Sequence, residues 1–143
     1  MGTDGAGDQL DGMRVAVLGS TSGIGKSVAL TLARAGADVI VHGRSAERAG
    51  QVVDEIRALG RRSHALTADL ADRGAGDALV SEAWDVWGGL DAWLHVAGAD
   101  ILTGSGKSLA YDEKLATLIA VDVVATVRLC REVGRRIERP EGL

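Results

Sequence analysis

The chain has 143 residues, one domain's worth, with 46% hydrophobic and 25% charged residues, the balance of an ordinary water-soluble protein. Its 16 basic residues are scattered and outnumbered by 20 acidic ones, for a formal charge of -4, so nucleic acid is not an expected partner. Cys130 is the single cysteine, which rules out a disulfide framework and a Cys-based metal site, and no metal is expected. No apolar run approaches the roughly 20 residues of a membrane span, and residues 1–12 lack the basic and apolar regions of a signal peptide, so the reading is a cytoplasmic protein with no membrane association.

Residues 1–12 are polar and Gly-rich, and ordering them would cost backbone entropy without burial in return; a flexible lead-in is expected, with the folded domain spanning 13–143. Met13 to Leu18 is a Val- and Leu-rich strand ending at Gly19. A helix follows from about Gly23 to Ala35, with Gly36 as its stop. Asp38 to His42 is the second strand. Ser45 caps a second helix in which Val52, Val53, Ile56 and Leu59 recur at helical spacing, closed by Gly60. Ser63 to Leu66 forms a third strand that enters a polar turn from Thr67 to Asp72, before a third helix of about Gly76 to Trp87. Leu90 to Val96 is the fourth strand, Ala97 to Ser108 a Gly- and Ser-rich loop, and Tyr111 to Ile137 one long helix.

Strands alternating with helices through short connections specify an α/β, doubly wound parallel sheet of the Rossmann type. The expected strand order is 3-2-1-4, with a ligand at the carboxyl ends of strands 1 and 4, where the winding reverses.

Between the first strand and first helix stands Gly19-Ser20-Thr21-Ser22-Gly23-Ile24-Gly25. In this setting Gly19 permits the tight turn, Gly23 lets backbone approach a pyrophosphate, and Gly25 lets the helix pack closely on the strand. The helix N-terminus then presents N–H groups and a positive dipole end to the anion.

The spacing Gly-x-x-x-Gly-x-Gly, with His42-Gly-Arg-Ser45, Ala68-Asp-Leu70 and His95-Val-Ala-Gly98 in order behind it, resembles the short-chain dehydrogenase/reductase family from about Met13 onward, and in particular its 3-oxoacyl-ACP reductase-like members. The resemblance implies a nicotinamide dinucleotide. An acidic residue ending the second strand would mark NAD(H); here Gly43 stands there, followed by Arg44, whose guanidinium suits a 2′-phosphate, so NADP(H) is expected over NAD(H). Arg44 could also be an unengaged surface residue. Ser22 occupies the place where the family often has a second basic residue.

By the same resemblance Ser45 lies beside the cofactor, Asp69 and Leu70 border the adenine, and His95, Ala97 and Gly98 also lie beside the cofactor, His95 in a structural role. Asp69 reads equally as a turn-forming residue. Asp122 falls at the family's Asn that helps hold a proton-relay water; an Asp paired with backbone or a basic group is the other reading.

The family's catalytic Ser, Tyr and Lys follow a fifth strand, and the chain ends at Leu143 where that strand would begin. The expectation is therefore the N-terminal, cofactor-binding part of an NADP(H)-dependent oxidoreductase. The alternative is a non-catalytic NADP-binding or interaction module ending near Leu143. Tyr111 with Lys114 has the wrong spacing and element for the family's pair and reads as a helix-start residue. The long helix is apolar around much of its circumference, at Leu115, Leu118, Val121, Val124, Val127 and Leu129, so association with another copy or with a separate C-terminal segment is expected.

Overall fold

The computed structural model describes residues 9–137, so the first eight residues of the lead-in expected over 1–12, and the last six residues of the chain, lie outside it. Residues 9–12 form a turn in which the Leu10 N–H donates to the Ala35 carbonyl at 2.8 Å, and Asp11 pairs with Arg61 at 2.9 Å.

The elements follow in the order β1 (Arg14–Leu18), α1 (Gly23–Arg34), β2 (Asp38–Gly43), α2 (Ala46–Ala58), β3 (Ser63–Thr67), α3 (Arg73–Trp87), β4 (Ala92–His95), α4 (Tyr111–Leu118) and α5 (Thr126–Ile137). All strand pairs are parallel and the sheet order is β3-β2-β1-β4, the doubly wound arrangement expected from the alternation. In β1 and β2 successive residues serve opposite faces. Val15, Val17, Val39 and Val41 pack on α1 and α2 through Ala29, Ala33, Val52 and Ile56. Ala16, Leu18 and Ile40 pack on α3 and α5 through Leu79, Val80 and Leu129. That two-sided burial is why both strands read as continuous apolar runs, each such side chain contributing about 1.5–3 kcal/mol.

Charge closes the amino edge of the sheet. Asp38, 4% exposed, accepts from the Arg62 N–H at 2.9 Å and pairs with its guanidinium at 2.7 Å, tying the starts of β2 and β3. Arg14 at the head of β1 donates to both Asp91 oxygens at 3.1 Å; those bonds raise the Arg14 pKa and hold Asp91 below the ordinary carboxylate value. Among the described residues no ion pair clamps the carboxyl edge in this way.

Several boundaries differ from the sequence reading. α3 starts at Arg73 because the Asp72 carboxylate accepts from the N–H groups of Gly74 and Ala75. β4 is only four residues, flanked by apolar Leu90 and Val96 that are not part of the ladder. A 3-10 turn at Gly104–Ser108 interrupts the long loop. The single long helix is in fact α4 and α5 joined by a π-helical stretch, Ile119–Ala125, where the Thr126 hydroxyl reaches the Val121 carbonyl five residues back at 3.3 Å. That stretch contains Asp122.

Candidate functional site

β1 ends at Leu18 and the chain turns through residues 19–22 into α1. Gly25 is required by contact: a Cβ there would collide with the Gly19 carbonyl oxygen, a backbone atom that cannot rotate aside. Gly23 is required by conformation, with φ +54 and open space where a side chain would project. Gly19 is pressed against Ala97 beyond β4, bringing the turn and the 97–98 segment together.

α2, α3 and α4 each begin with a side-chain acceptor, supplied by Ser45, Asp72 and Glu113. α1 begins with none: Ser22 makes no cap bond and no acidic residue lies in the first turn. Its first N–H groups are therefore unpaired by side chains, and the positive end of its dipole is not neutralised.

A cleft of about 890 Å³ opens in front of this terminus. It is lined by Gly19, Thr21, Ser22, Ile24 and Gly25 from the turn, by Arg44 and Ser45 after β2, by Asp69 and Leu70 after β3, and by Ala97 and Gly98 after β4. Of the residues expected at the site, Ser20, Gly23, His95 and Asp122 do not line it. Ser20 lies beneath the turn, fully buried, with its N–H given to the His42 carbonyl at 2.9 Å and its hydroxyl to the Val17 carbonyl at 2.7 Å, so neither of its donors faces the cleft.

Arg44 is exposed on the wall and has no ion-pair partner among the described residues. A Cβ at Gly43 would meet the Thr21 side chain, so a larger residue at that position requires Thr21 to turn aside. The Ser45 hydroxyl oxygen accepts the Arg48 N–H at 3.3 Å as the cap of α2. Asp69 is exposed and accepts the Ala71 N–H at 3.0 Å, the turn bond open to it from the sequence, while Leu70 is buried behind it.

His95 and Asp122 stand behind the cleft. The Asp122 carboxylate accepts the Ala99 N–H at 2.7 Å, so the π-helical stretch holds the loop that follows Gly98. His95 Nε2 lies 3.2 Å from the Thr126 hydroxyl, which is also 3.3 Å from the Val121 carbonyl; a single hydroxyl proton serves this chain if Nε2–H donates and Thr126 donates onward. Nδ1 is buried without a partner, and burial lowers the His95 pKa against the opposing field of Asp122.

Sequence reasoning missed Arg48, Ala99 and Asp100 among the cleft residues, and also His42, which is held by a hydrogen-bond network. His42, 3% exposed at the end of β2, has Nδ1 3.3 Å from the Gly19 N–H and Nε2 3.1 Å from the Ala68 carbonyl. Its N–H also donates to the Ser20 hydroxyl oxygen at 3.1 Å. The available signal was an imidazole at the end of an otherwise apolar, two-sided strand, where a buried polar group requires partners.

Among the described residues no helix is long and apolar enough to cross a membrane, and no three His, Cys, Asp or Glu residues converge as metal ligands.

Comparison with known proteins places this geometry. The family model for short chain dehydrogenase matches residues 13–143. An uncharacterised oxidoreductase of Mycobacterium tuberculosis is 35% identical over 132 residues, which is 88% of this chain and 50% of that protein. The 3-oxoacyl-[acyl-carrier-protein] reductase of Staphylococcus aureus is 41% identical over 104 residues, 71% of this chain and 42% of the reductase. Among solved structures, a short chain dehydrogenase from Burkholderia cenocepacia in complex with NADP superposes with a TM-score of 0.79 at 37% identity, covering 91% of this chain and 53% of that one. The chain thus spans about half the length of the relatives it matches.

Proposed function

Because the chain belongs to the short-chain dehydrogenase family, whose members bind nicotinamide cofactors, we propose that it forms the cofactor-binding part of an NADP(H)-dependent oxidoreductase acting on a carbonyl or alcohol substrate. The observation that carries this reading is the N-terminus of α1, without a side-chain cap, facing a cleft whose wall presents Arg44, with no ion pair among the described residues, beside Gly43 in place of a carboxylate.

The residues fit the group. The N–H groups at the start of α1 hold the pyrophosphate, with Gly23 admitting close backbone approach. Arg44 pairs with the 2′-phosphate. Asp69 and Leu70 border the adenine, and Ala97 and Gly98 pack beside the ribose. Asp122 positions the Ala97–Asp100 loop through the Ala99 N–H, and His95 braces β4 against α5 through Thr126. When bound, the cofactor supplies the hydride that the family's reaction exchanges with substrate.

The test is fluorescence titration of NADPH and NADH into the wild-type chain and Arg44→Ala. Loss of a charge-assisted pair weakens NADPH by about 10- to 100-fold and leaves NADH unchanged. Equal NADPH affinity in both proteins removes Arg44 from its role and the preference for NADP(H) with it.

Leu115, Ile119, Val123, Val124 and Val127 leave an exposed apolar face along α4–α5, beside a groove of about 360 Å³ lined by Leu70, Ala116, Ala120 and Arg128. Self-association, or docking of a separate C-terminal segment, in the cytoplasm is the reading this face supports. A monomer by light scattering at all concentrations would leave self-association without support.

A further inference from the structure

Different elements carry the parts of the cleft: the turn after β1, the end of β2 and the exit of β3. One side chain touches the two outer parts at once. We propose that His42 is a positioning residue for the cofactor, its neutral imidazole fixing the distance between the pyrophosphate turn and the adenine-side segment at 68–70.

The inference rests on the cofactor reading above and deepens it. An imidazole is a rigid spacer whose two ring nitrogens face away from one another. Here Nδ1 accepts the Gly19 N–H and Nε2–H donates to the Ala68 carbonyl, an assignment that only the neutral Nε2–H form satisfies. A second layer keeps the ring in place: Ser20 N–H to the His42 carbonyl, His42 N–H to the Ser20 hydroxyl, and that hydroxyl to Val17. At 3% exposure, water does not substitute for the ring. Gly19 is the residue against whose carbonyl Gly25 packs, so a shift at Gly19 moves the start of α1.

The surroundings favour the neutral ring. The turn contributes Gly19 and Ser20, which carry no charge, and β3 contributes the Ala68 carbonyl. Asp69 is exposed and bonded to Ala71, Arg44 is exposed two residues on, and His95 on β4 adds a field that opposes protonation. Burial is the largest influence and lowers the His42 pKa, against the opposing pull of the Ala68 carbonyl.

The test separates the two anchors. In His42→Gln the side-chain amide N–H takes the place of Nε2–H and keeps the Ala68 bond while Gly19 loses its acceptor; in His42→Asn the amide oxygen takes the place of Nδ1 and the Ala68 bond is lost. Calorimetry with NADPH, which spans both anchors, is compared with adenosine 2′-phosphate, which lacks the pyrophosphate. For His42→Gln NADPH weakens about tenfold, the effect of one unmade buried hydrogen bond, while adenosine 2′-phosphate stays within about twofold. For His42→Asn both ligands weaken. Nitrogen NMR of the wild-type ring, which needs no variant to fold, shows the Nε2–H form.

Unchanged NADPH affinity in His42→Gln, an equal loss of both ligands in that variant, or an Nδ1–H ring in wild type overturns the inference and leaves the cofactor reading standing. A wild-type chain that binds neither NADPH nor NADH overturns the cofactor reading and this inference together.

Discussion

Gly23 and Gly25 sit two residues apart in the same turn, yet alanine at each should fail for different reasons. At Gly25 the new methyl would fall on the Gly19 carbonyl oxygen, and relieving the overlap requires α1 to back away from the turn by something on the order of 1 Å. Overpacking against backbone costs about 3 kcal/mol, and at about 3 °C per kcal/mol for a chain of this size the melting temperature falls by about 10 °C. At Gly23 the methyl enters open space and only the left-handed conformation is penalised, by about 1–2 kcal/mol, or about 3–6 °C. For ligand the order reverses in proportion to stability. On the proposed role of Gly23 in admitting the pyrophosphate, Gly23→Ala should lose NADPH affinity by at least about tenfold in a protein that remains folded. Thermal melts by circular dichroism, paired with NADPH titration below the transition, read both quantities. A Gly25→Ala chain that melts within about 2 °C of wild type, against the roughly 10 °C expected from overpacking, would refute the packing argument. A Gly23→Ala chain that binds NADPH normally would refute the approach argument.

Acid should weaken the fold earlier than carboxylate protonation alone would require. Burial lowers the pKa values of His42 and His95 below the ordinary 6.5, so the unfolded chain takes up protons there that the folded chain resists. Stability from these rings is complete above pH 6.5 and declines as pH falls toward the folded values; denaturant midpoints that stay flat from pH 7.5 to about 5.5 would contradict it. A second acid loss follows at lower pH, where the Asp91 carboxylate held down by Arg14 takes its proton. Asp122→Asn retains an oxygen for the Ala99 N–H and should preserve cofactor binding, whereas Asp122→Ala frees the loop after Gly98 and weakens binding about threefold to tenfold. Titrations giving the same affinity for both variants would separate Asp122 from loop positioning.

The sheet and its winding were readable because β1 and β2 are buried on both faces, and that burial leaves a plain apolar run between Gly-marked turns. The limits of β4 were not. Leu90 and Val96 are as apolar as the ladder residues, and only the register with β1, from Val15 opposite Ala92 to Leu18 opposite His95, sets the limits, although the Val96 N–H still donates to the Leu18 carbonyl at 3.1 Å. The π-helical stretch was hidden because Ile119 to Ala125 is apolar at nearly every position and so supports any helical period. At the site, Arg44 was legible from its place after the second strand, whereas the approach of the Thr21 side chain to Gly43 joins residues 22 apart in the chain. His42 offered only the signal of an imidazole ending an apolar strand, and its role stayed hidden because both of its ring partners are distant in sequence.

The π-helical stretch between α4 and α5 also sets a phase. Each residue of an α-helix advances the side-chain direction by about 100°, so the wider turns at Ile119–Ala125 offset the azimuth of everything beyond them. Within the stretch Asp122 reaches toward the Ala99 N–H; downstream, Leu129 and Val133 face α3 and the sheet. The two halves are geared together by residue count. Point substitutions within the stretch change a contact, but an insertion or deletion of one residue would swing α5 by about 100° relative to the Asp122 anchor, taking Leu129 off the core or Asp122 off its loop.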